Sequence, residues 1–250
     1  MEHMDIGSLA LLRNGILLAG ELHACMLAVT YMLTCLLHAA ACMFSAACLL
    51  PSPSAPLLPA PHDVPDDVCL YIAQCMVAGL TYLHRTLRIV HRDIKPSNVL
   101  LNSQGHVKLC DFSLSKTWTE TMASAATTYV GTFLYMSPER IDPASQPDHQ
   151  PFPGDVWALG LTLAELALKR YPLAESDAEV AQLAAFPIIH MILTSPLPRL
   201  RGRDDKLQAV VDGCLQRRVT ERSSLEELQP MMRDASKDGL LNLLALLDLS

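Results

Sequence analysis

The pattern of apolar and polar positions divides the chain into an oily first part, a proline-rich linker and a globular remainder. Leu22 to Leu50 is a 29-residue stretch without Asp, Glu, Lys or Arg. It is long enough for a membrane-spanning helix, which needs roughly 20 apolar residues. Six prolines between positions 51 and 65 then predict an extended, irregular linker. From Pro65 onward the alternation of apolar and polar residues is typical of a folded domain.

The globular part predicts a helix, a β-hairpin and then mostly helices. Asp66 and Asp67 are placed to cap a helix that ends near His84. Residues 98–111 predict a hairpin, because two short apolar strands flank a turn closed by Gly105, and the second strand ends at Cys110. Helical patterns follow at Val156 to Leu168, at Gln208 to Leu215, at Ser224 to Met232 and in the final residues 233–250.

Composition narrows the functional classes. The net charge is −7, with 26 acidic and 19 basic residues and no long run of either sign, which argues against a nucleic-acid-binding protein. The eight cysteines form neither a CxxC pair nor a Cys/His set with zinc spacing. We therefore expect reduced thiols in a cytoplasmic protein. Membrane association through Leu22 to Leu50 stays open as an alternative.

The segment 89–101 reads Ile-Val-His-Arg-Asp-Ile-Lys-Pro-Ser-Asn-Val-Leu-Leu. It resembles the catalytic loop of eukaryotic protein kinases, whose pattern is His-Arg-Asp-x-Lys-x-x-Asn. The resemblance implies that Asp93 accepts the proton of the substrate hydroxyl, that Lys95 lies near the transferred phosphoryl group and that Asn98 binds Mg²⁺. It also implies structural roles for His91 and Arg92.

Asp111-Phe112-Ser113 stands eighteen residues after Asp93. In kinases the corresponding Asp binds the Mg²⁺ that bridges the phosphates of ATP, so the resemblance implies that Asp111 joins Asn98 as a metal and cofactor ligand. Phe112 would be structural. The family carries glycine where this chain has Ser113, and a left-handed backbone costs a residue with a Cβ about 1–2 kcal/mol. The serine therefore predicts a less populated active arrangement of Asp111.

Tyr129 to Ile141 resembles the end of a kinase activation segment, and its Met-Ser-Pro-Glu-Arg run is similar to that of dual-specificity MAP kinase kinases. This resemblance implies a buried ion pair between Glu139 and Arg222. It also implies that Asp155 holds the backbone of the catalytic loop. Lys95 marks the serine/threonine branch, so dual specificity follows from the MAP kinase kinase resemblance alone.

Hydroxyl side chains are frequent between Asp111 and Gly131. Ser124 and Thr128 match the spacing of phosphorylation sites in animal MAP kinase kinases, while Thr121 and Thr127 match that of plant members. Phosphorylation there would add nearly two negative charges that Arg92 could bind. The alternative is a loop that is merely polar.

The sequence contains no Gly-x-Gly-x-x-Gly loop and no Val-Ala-x-Lys strand, so most of the small lobe of a kinase is expected to be absent. Residues 1–15 resemble the hinge between the two lobes. The resemblance implies that the backbones of Glu2 and Met4 contact adenine, that Ser8 lies near the ribose and that Leu100 forms the floor of the pocket. Residues 16–63 would then be a hydrophobic and Pro-rich insertion: a translated intron, a buried or interfacial helical insertion, or a membrane span.

These observations predict a mainly helical, protein-kinase-like C-lobe with a short β-hairpin. The C-lobe is expected over residues 64–232 and a helical tail over 233–250. The expected function is that of an ATP- and Mg²⁺-dependent kinase that phosphorylates the activation loop of a MAP kinase and is itself activated by an upstream kinase. The alternative is a catalytically inactive, kinase-like binding module.

Overall fold

The computed structural model describes residues 7–8, 64–112, 114–117, 130–145 and 151–246. Several predictions lie outside these ranges. They concern Glu2, Met4, the insertion 16–63, Ser113 and the candidate phosphorylation sites Thr121, Ser124, Thr127 and Thr128. Within the described ranges, every helix is too short or too polar to cross a membrane.

Helix α1 spans Asp66–Thr81 and carries a continuous buried face that includes Val68, Ile72 and Leu80. A π-helical turn, Tyr82–Leu87, prolongs it, and the segment ends at Arg88 in a left-handed conformation with φ of 56°. The predicted end near His84 therefore falls inside a longer helical segment.

The predicted capping by Asp66 and Asp67 is wrong. The N-cap residue is Pro65, and it makes no side-chain capping bond. Both carboxylates lie in the first turn, where negative charge is favourable beside the positive end of the helix dipole. Asp66 instead accepts a hydrogen bond from the backbone N–H of Asp204 at 2.8 Å, which ties the start of α1 to a distant loop.

The predicted hairpin is present and belongs to a three-stranded antiparallel sheet. Its strands are β3, Val99–Leu101, and β4, Val107–Leu109, joined by a turn in which Gly105 has φ of 73°. Strand β1, Gly7–Ser8, pairs with the other edge of β3, with Ser8 opposite Leu100. A second antiparallel pair consists of β2, Ile89–Val90, and β5, Lys116–Thr117. Strand β2 lies directly before His91-Arg92-Asp93.

The remaining described elements are helical. They are α2 (Pro138–Ile141), α3 (Pro153–Leu168), α4 (Asp177–Gln182), α5 (Ala185–Thr194), α6 (Asp205–Cys214), α7 (Leu225–Leu228) and α8 (Lys237–Leu246). The single helix predicted from Ser224 to Met232 is instead α7 followed by a 3₁₀ turn, Gln229–Met232. Pro230 accounts for the change, because it lacks the N–H that a continuing α-helix requires.

Helix α3 forms the centre of the core, and its residues Trp157, Leu159 and Leu161 are fully buried. Helix α6 comes so close to it that a Cβ added at Gly160 would lie 2.5 Å from the Cβ of Cys214. This close approach requires glycine at position 160. The predicted mainly helical class is confirmed.

Candidate active site

Asp93 lies at the centre of the loop between β2 and β3 and is only 5% exposed. Its carboxylate oxygen Oδ2 accepts hydrogen bonds from Lys95 Nζ and from Asn98 Nδ2, both at 2.8 Å. Asn98 Nδ2 also donates to the backbone oxygen of Asp93 at 2.8 Å. The second carboxylate oxygen, Oδ1, accepts no hydrogen bond from the described residues. One oxygen is therefore fixed by two donors while the other can receive a third group.

Asp111 is brought beside this loop by the backbone. The N–H of Cys110 donates to the backbone oxygen of Asn98 at 3.0 Å. Asp111 is the next residue of the chain, so this hydrogen bond keeps its backbone close to the loop. Asp111 is exposed and has a left-handed backbone with φ of 60°. Because the amide nitrogen of Asn98 is bound to Asp93, its Oδ1 is the atom left for a cation.

Asn98 and Asp111 both carry the kind of oxygen atom that a magnesium ion binds. Mg²⁺ prefers hard oxygen ligands and usually takes only one or two carboxylates from a protein, with water and phosphate completing its coordination. The described residues contain no group of three or more His, Cys, Asp or Glu side chains that could hold a metal by themselves. One amide oxygen and one carboxylate are protein ligands of the kind that a phosphate-bound Mg²⁺ ion would take.

A buried carboxylate, Asp155 in the first turn of α3, holds the start of the loop. Its Oδ2 accepts the backbone N–H of His91 and its Oδ1 that of Arg92, each at 2.8 Å. Burial by itself would raise the pKa of Asp155, but the hydrogen bonds from His84 and from the backbone N–H of Arg92 favour the ionised carboxylate, and that pKa lies below its ordinary value. Asp155 therefore stays ionised and keeps accepting both amides. The contact expected between this residue and the loop is present.

His91 joins the loop to the strand end that carries Asp111. Its Nε2 donates to the backbone oxygen of Cys110 at 3.1 Å, and its Nδ1 accepts the N–H of Asp93 at 3.4 Å. The ring packs against Phe112 with the two centroids 4.9 Å apart. Burial lowers the pKa of His91, so the imidazole is neutral, as these two bonds require.

Arg92 has a left-handed backbone with φ of 71°. Arg140, from α2, donates through Nη1 to the backbone oxygen of Arg92 at 3.2 Å. Burial lowers the pKa of both guanidinium groups, although Asp155 opposes this effect at each of them. Two cationic side chains thus lie close to the point where the activation segment returns to the lobe.

Glu139 and Arg222 form a bidentate ion pair, with N–O distances of 2.7 and 2.8 Å. Both side chains are at most 1% exposed. Arg222 also donates to the backbone oxygen of Pro153 and lies over the ring of Trp157, 5.4 Å from its centroid. Burial would raise the pKa of Glu139, but the hydrogen bond from Arg222 lowers it below its ordinary value. The pair expected from the sequence is present and ties α2 to the core.

For the nucleotide pocket the structure describes fewer of the predicted residues. Leu100 is 4% exposed and lies in the middle strand of the three-stranded sheet. Ser8 stands opposite it across the β1–β3 pair. The adenine contacts expected from Glu2 and Met4 lie outside the described residues.

Three residues of the site were not predicted from the sequence. His84 binds the Asp155 carboxylate, Arg140 binds the Arg92 backbone, and Glu165 accepts a hydrogen bond of 2.5 Å from Tyr135 in the 3₁₀ segment Val130–Tyr135. A signal existed for His84, since it follows Leu80 by four residues and an α-helix continued through it would carry it on the apolar face. The partners of all three residues are far away in sequence, so none of the three contacts could be predicted from it.

Comparison with known proteins agrees with this geometry. The family model of the protein kinase domain matches residues 56–232. The chain is 41% identical over 169 residues to the mitogen-activated protein kinase kinase MST7 of Pyricularia oryzae. The aligned residues make up 65% of this chain and 39% of that protein. It is 38% identical over 167 residues to mitogen-activated protein kinase kinase 2 of Arabidopsis thaliana, covering 66% and 45%.

A third relative is the dual specificity mitogen-activated protein kinase kinase dSOR1 of Drosophila melanogaster, 34% identical over 195 residues, with 69% of this chain and 48% of that protein covered. The chain thus spans less than half the length of each of these relatives. The family match nevertheless includes the whole catalytic loop and the Glu139–Arg222 pair. The chain belongs to the protein kinase family, and its kinase domain is similar to those of MAP kinase kinases.

Proposed function

We propose that the chain is the catalytic lobe of an ATP- and Mg²⁺-dependent protein kinase that phosphorylates the activation loop of a MAP kinase. The observation that carries this proposal is the environment of Asp93. Lys95 and Asn98 fix one of its carboxylate oxygens, and the other oxygen is available to a substrate hydroxyl. Asp111 comes directly after Cys110, whose N–H is bound to the backbone oxygen of Asn98. The names of the three relatives support the choice of MAP kinases as substrates.

Asp93 orients the substrate hydroxyl through Oδ1 and accepts its proton as the hydroxyl oxygen forms its bond to phosphorus and ADP leaves. Lys95 stands 2.8 Å from the other oxygen of the same carboxylate. Its ammonium group stabilises the negative charge of the phosphoryl group during transfer, and it keeps Asp93 in one orientation.

Asn98 and Asp111 would hold the Mg²⁺ ion, which would supply positive charge to offset that of the ATP phosphates. Leu100 would form the floor of an adenine pocket, Ser8 would lie near the ribose, and Glu2 and Met4 are the proposed backbone contacts of adenine. His91 and Phe112 keep Asp111 at its place, because the His91 ring contacts both the Cys110 carbonyl and the Phe112 ring.

Phosphorylation by an upstream kinase activates the protein. The acceptors are Ser124 and Thr128, or Thr121 and Thr127, and the receptor is Arg92. A phosphate carries nearly two negative charges and forms strong charge-assisted hydrogen bonds with a guanidinium group. Arg140, which contacts the Arg92 backbone, adds a second positive charge near the receptor.

The test is phosphate transfer from Mg-ATP to a MAP kinase whose own catalytic Asp has been replaced, with the modified residues located by mass spectrometry. We expect phosphate on the activation loop of the substrate. Asp93→Asn should lower kcat by about 10²–10⁴-fold, the usual contribution of a general base. Asp142→Asn, at an exposed carboxylate outside the loop, is the matched control and should leave kcat unchanged. Equal transfer by the wild type and Asp93→Asn would contradict the proposal.

A further inference from the structure

We infer that three side chains, Tyr71 of α1 and Lys237 and Leu241 of α8, form a turn support: they hold the turn of the β3–β4 hairpin and so position Asn98 and Asp111 at its open end. The effect of the turn support on metal binding rests on the proposed function, because Asn98 and Asp111 are the proposed ligands. Its effect on the hairpin itself does not, and can be measured separately.

One hydrogen bond from α1 holds the turn. The Tyr71 hydroxyl donates to the backbone oxygen of Gly105 at 3.1 Å. Gly105 is buried and Tyr71 is half-buried, so the loss of this donor would leave a shielded carbonyl without a partner. Inside the turn, the N–H of Gly105 donates to the backbone oxygen of Asn102 at 2.9 Å. The turn therefore binds its own amide, whereas its carbonyl is bound by α1.

Helix α8 covers the same glycine. A Cβ added at Gly105 would lie 3.0 Å from Lys237 Cγ and 3.1 Å from Leu241 Cδ2. These two side chains are four residues apart and lie on one face of the helix, so the apolar stem of the lysine and the leucine cover the turn together. Leu240 and Leu244 are 0% exposed and fix α8 in the core. The position of α8 is therefore set independently of the turn.

A second glycine brings α8 against α1. A Cβ added at Gly239 would collide with the Asp67 carboxylate, so the two helices are in close contact there. Tyr71 follows Asp67 by four residues, so both contacts come from one face of α1. Helices α1 and α8 and the turn form one packed unit. Because α8 lies after residue 232, part of the turn support lies outside the residues that match the kinase domain model.

The hairpin connects the turn to the metal site. Its strands, Val99–Leu101 and Val107–Leu109, form only three residue pairs. A two-stranded hairpin is marginally stable by itself and depends on packing against other elements. Asn98 directly precedes the first strand, and Asp111 follows the second by two residues, with the Cys110 N–H bound to the Asn98 backbone oxygen between them. A displacement at the turn therefore changes the relative position of the two side chains at the open end.

The test measures amide hydrogen exchange by NMR in the full chain. Tyr71→Phe removes only the hydroxyl, and Leu241→Ala removes most of the apolar contact from α8. We expect the double variant to exchange about tenfold faster or more at the amides of Gly105 and Cys110, and to exchange at the wild-type rate at Leu161 in α3. The response of Cys110 is decisive, because that amide lies at the end of the hairpin opposite to the substitutions.

Two matched control variants change the same residue types at exposed positions. Tyr82→Phe, in the π-helical turn after α1, and Leu246→Ala, at the end of α8, alter side chains that are 57% and 72% exposed and should leave exchange unchanged. In the Tyr71→Phe background, Leu241→Met keeps the apolar volume and should restore most of the slow exchange at Cys110. Unchanged exchange at Cys110 in the double variant, or an equal acceleration at Leu161, would overturn the inference.

A metal titration separates this inference from the proposed function. Free Mn²⁺ is followed by electron paramagnetic resonance in the presence of a non-hydrolysable ATP analogue. We expect the double variant to raise the Kd for Mn²⁺ about fivefold or more, because ligands that are not held in place must be ordered when the ion binds. Its affinity for the analogue without metal should stay the same.

An unchanged Kd for Mn²⁺ in a double variant whose hairpin exchanges faster would overturn the positioning of the metal site. An equal loss of affinity for the metal-free analogue would overturn it as well, since the defect would then be general. A wild type that binds no Mn²⁺ would contradict the proposed function, while the exchange measurement still decides whether the turn support holds the hairpin.

Discussion

At the scale of single residues, two residues of the site have a left-handed backbone. They are Arg92, before the hairpin, with φ of 71°, and Asp111, after it, with φ of 60°. Each conformation costs a residue with a Cβ about 1–2 kcal/mol, so other interactions must offset it. At Arg92 the offset is visible in the hydrogen bond from its N–H to Asp155. From the sequence we predicted strain at Ser113, which lies outside the described residues.

Breaking the Glu139–Arg222 pair should be costly. Arg222→Ala leaves Glu139 buried without its partner, and we expect the free energy of unfolding to fall by about 3–5 kcal/mol in urea denaturation. Arg218→Ala, which removes an exposed pair with Glu221, is the matched control and should change it by less than about 1 kcal/mol. A cost for Arg222→Ala as small as that of the control would show that the pair is not buried in solution.

Stability should fall on acidification. The pKa of His91 is below its ordinary 6.5 in the folded state, so between the two values the unfolded chain binds a proton that the folded chain does not. Stability is therefore lost as the pH falls below about 6.5. The lowered pKa values of Glu139 and Asp155 add a further loss below their ordinary values of 4.5 and 3.8.

The contribution of His91 can be isolated by comparing urea unfolding of the wild type and His91→Gln between pH 7 and 5. We expect the wild type to lose more stability over this interval, by at most about 1.4 kcal/mol for each pH unit. Parallel curves would mean that the pKa of His91 is the same in the folded and the unfolded chain, contrary to the lowering that its burial predicts.

At the scale of elements, local patterns predicted more than distant contacts did. The hairpin could be predicted because a turn ending in Gly105 and two short apolar runs are adjacent in sequence. The catalytic residues could be predicted because Asp93, Lys95 and Asn98 lie within six positions of one another. The π-helical turn that directs His84 to Asp155 could not, since it depends on packing between α1 and α3.

The contact between α3 and α6 predicts opposite outcomes for two glycines. Gly160→Ala would place a Cβ 2.5 Å from that of Cys214 and should destabilise the protein by about 1–3 kcal/mol, despite the better helix propensity of alanine. Gly79→Ala in α1 would place a Cβ 3.4 Å from Leu109 Cδ1, an ordinary contact, and should be neutral or stabilise by up to about 1 kcal/mol. Thermal unfolding of the two variants measures both changes in stability. Equal changes in the two variants would contradict the close packing of α3 against α6.

At the scale of the whole molecule, the described elements form one lobe organised around α1 and α3. The family match ends at residue 232, yet α8 continues the same core, with Leu240 and Leu244 fully buried. It also packs against the hairpin turn, since a Cβ added at Gly105 would lie 3.0 Å from the side chain of Lys237. Helix α8 therefore packs against the turn of the hairpin that lies between Asp93 and Asp111 in the sequence.

The most direct test is to locate the metal site by NMR, with Mn²⁺ in place of Mg²⁺ and a non-hydrolysable ATP analogue bound. We expect the strongest paramagnetic broadening at the amides of Asn98, Val99, Cys110 and Asp111. Asp111→Asn should remove most of it, and Asp142→Asn should not. Broadening centred elsewhere, or the same in Asp111→Asn as in the wild type, would contradict the claim that Asn98 and Asp111 form the metal site of a kinase.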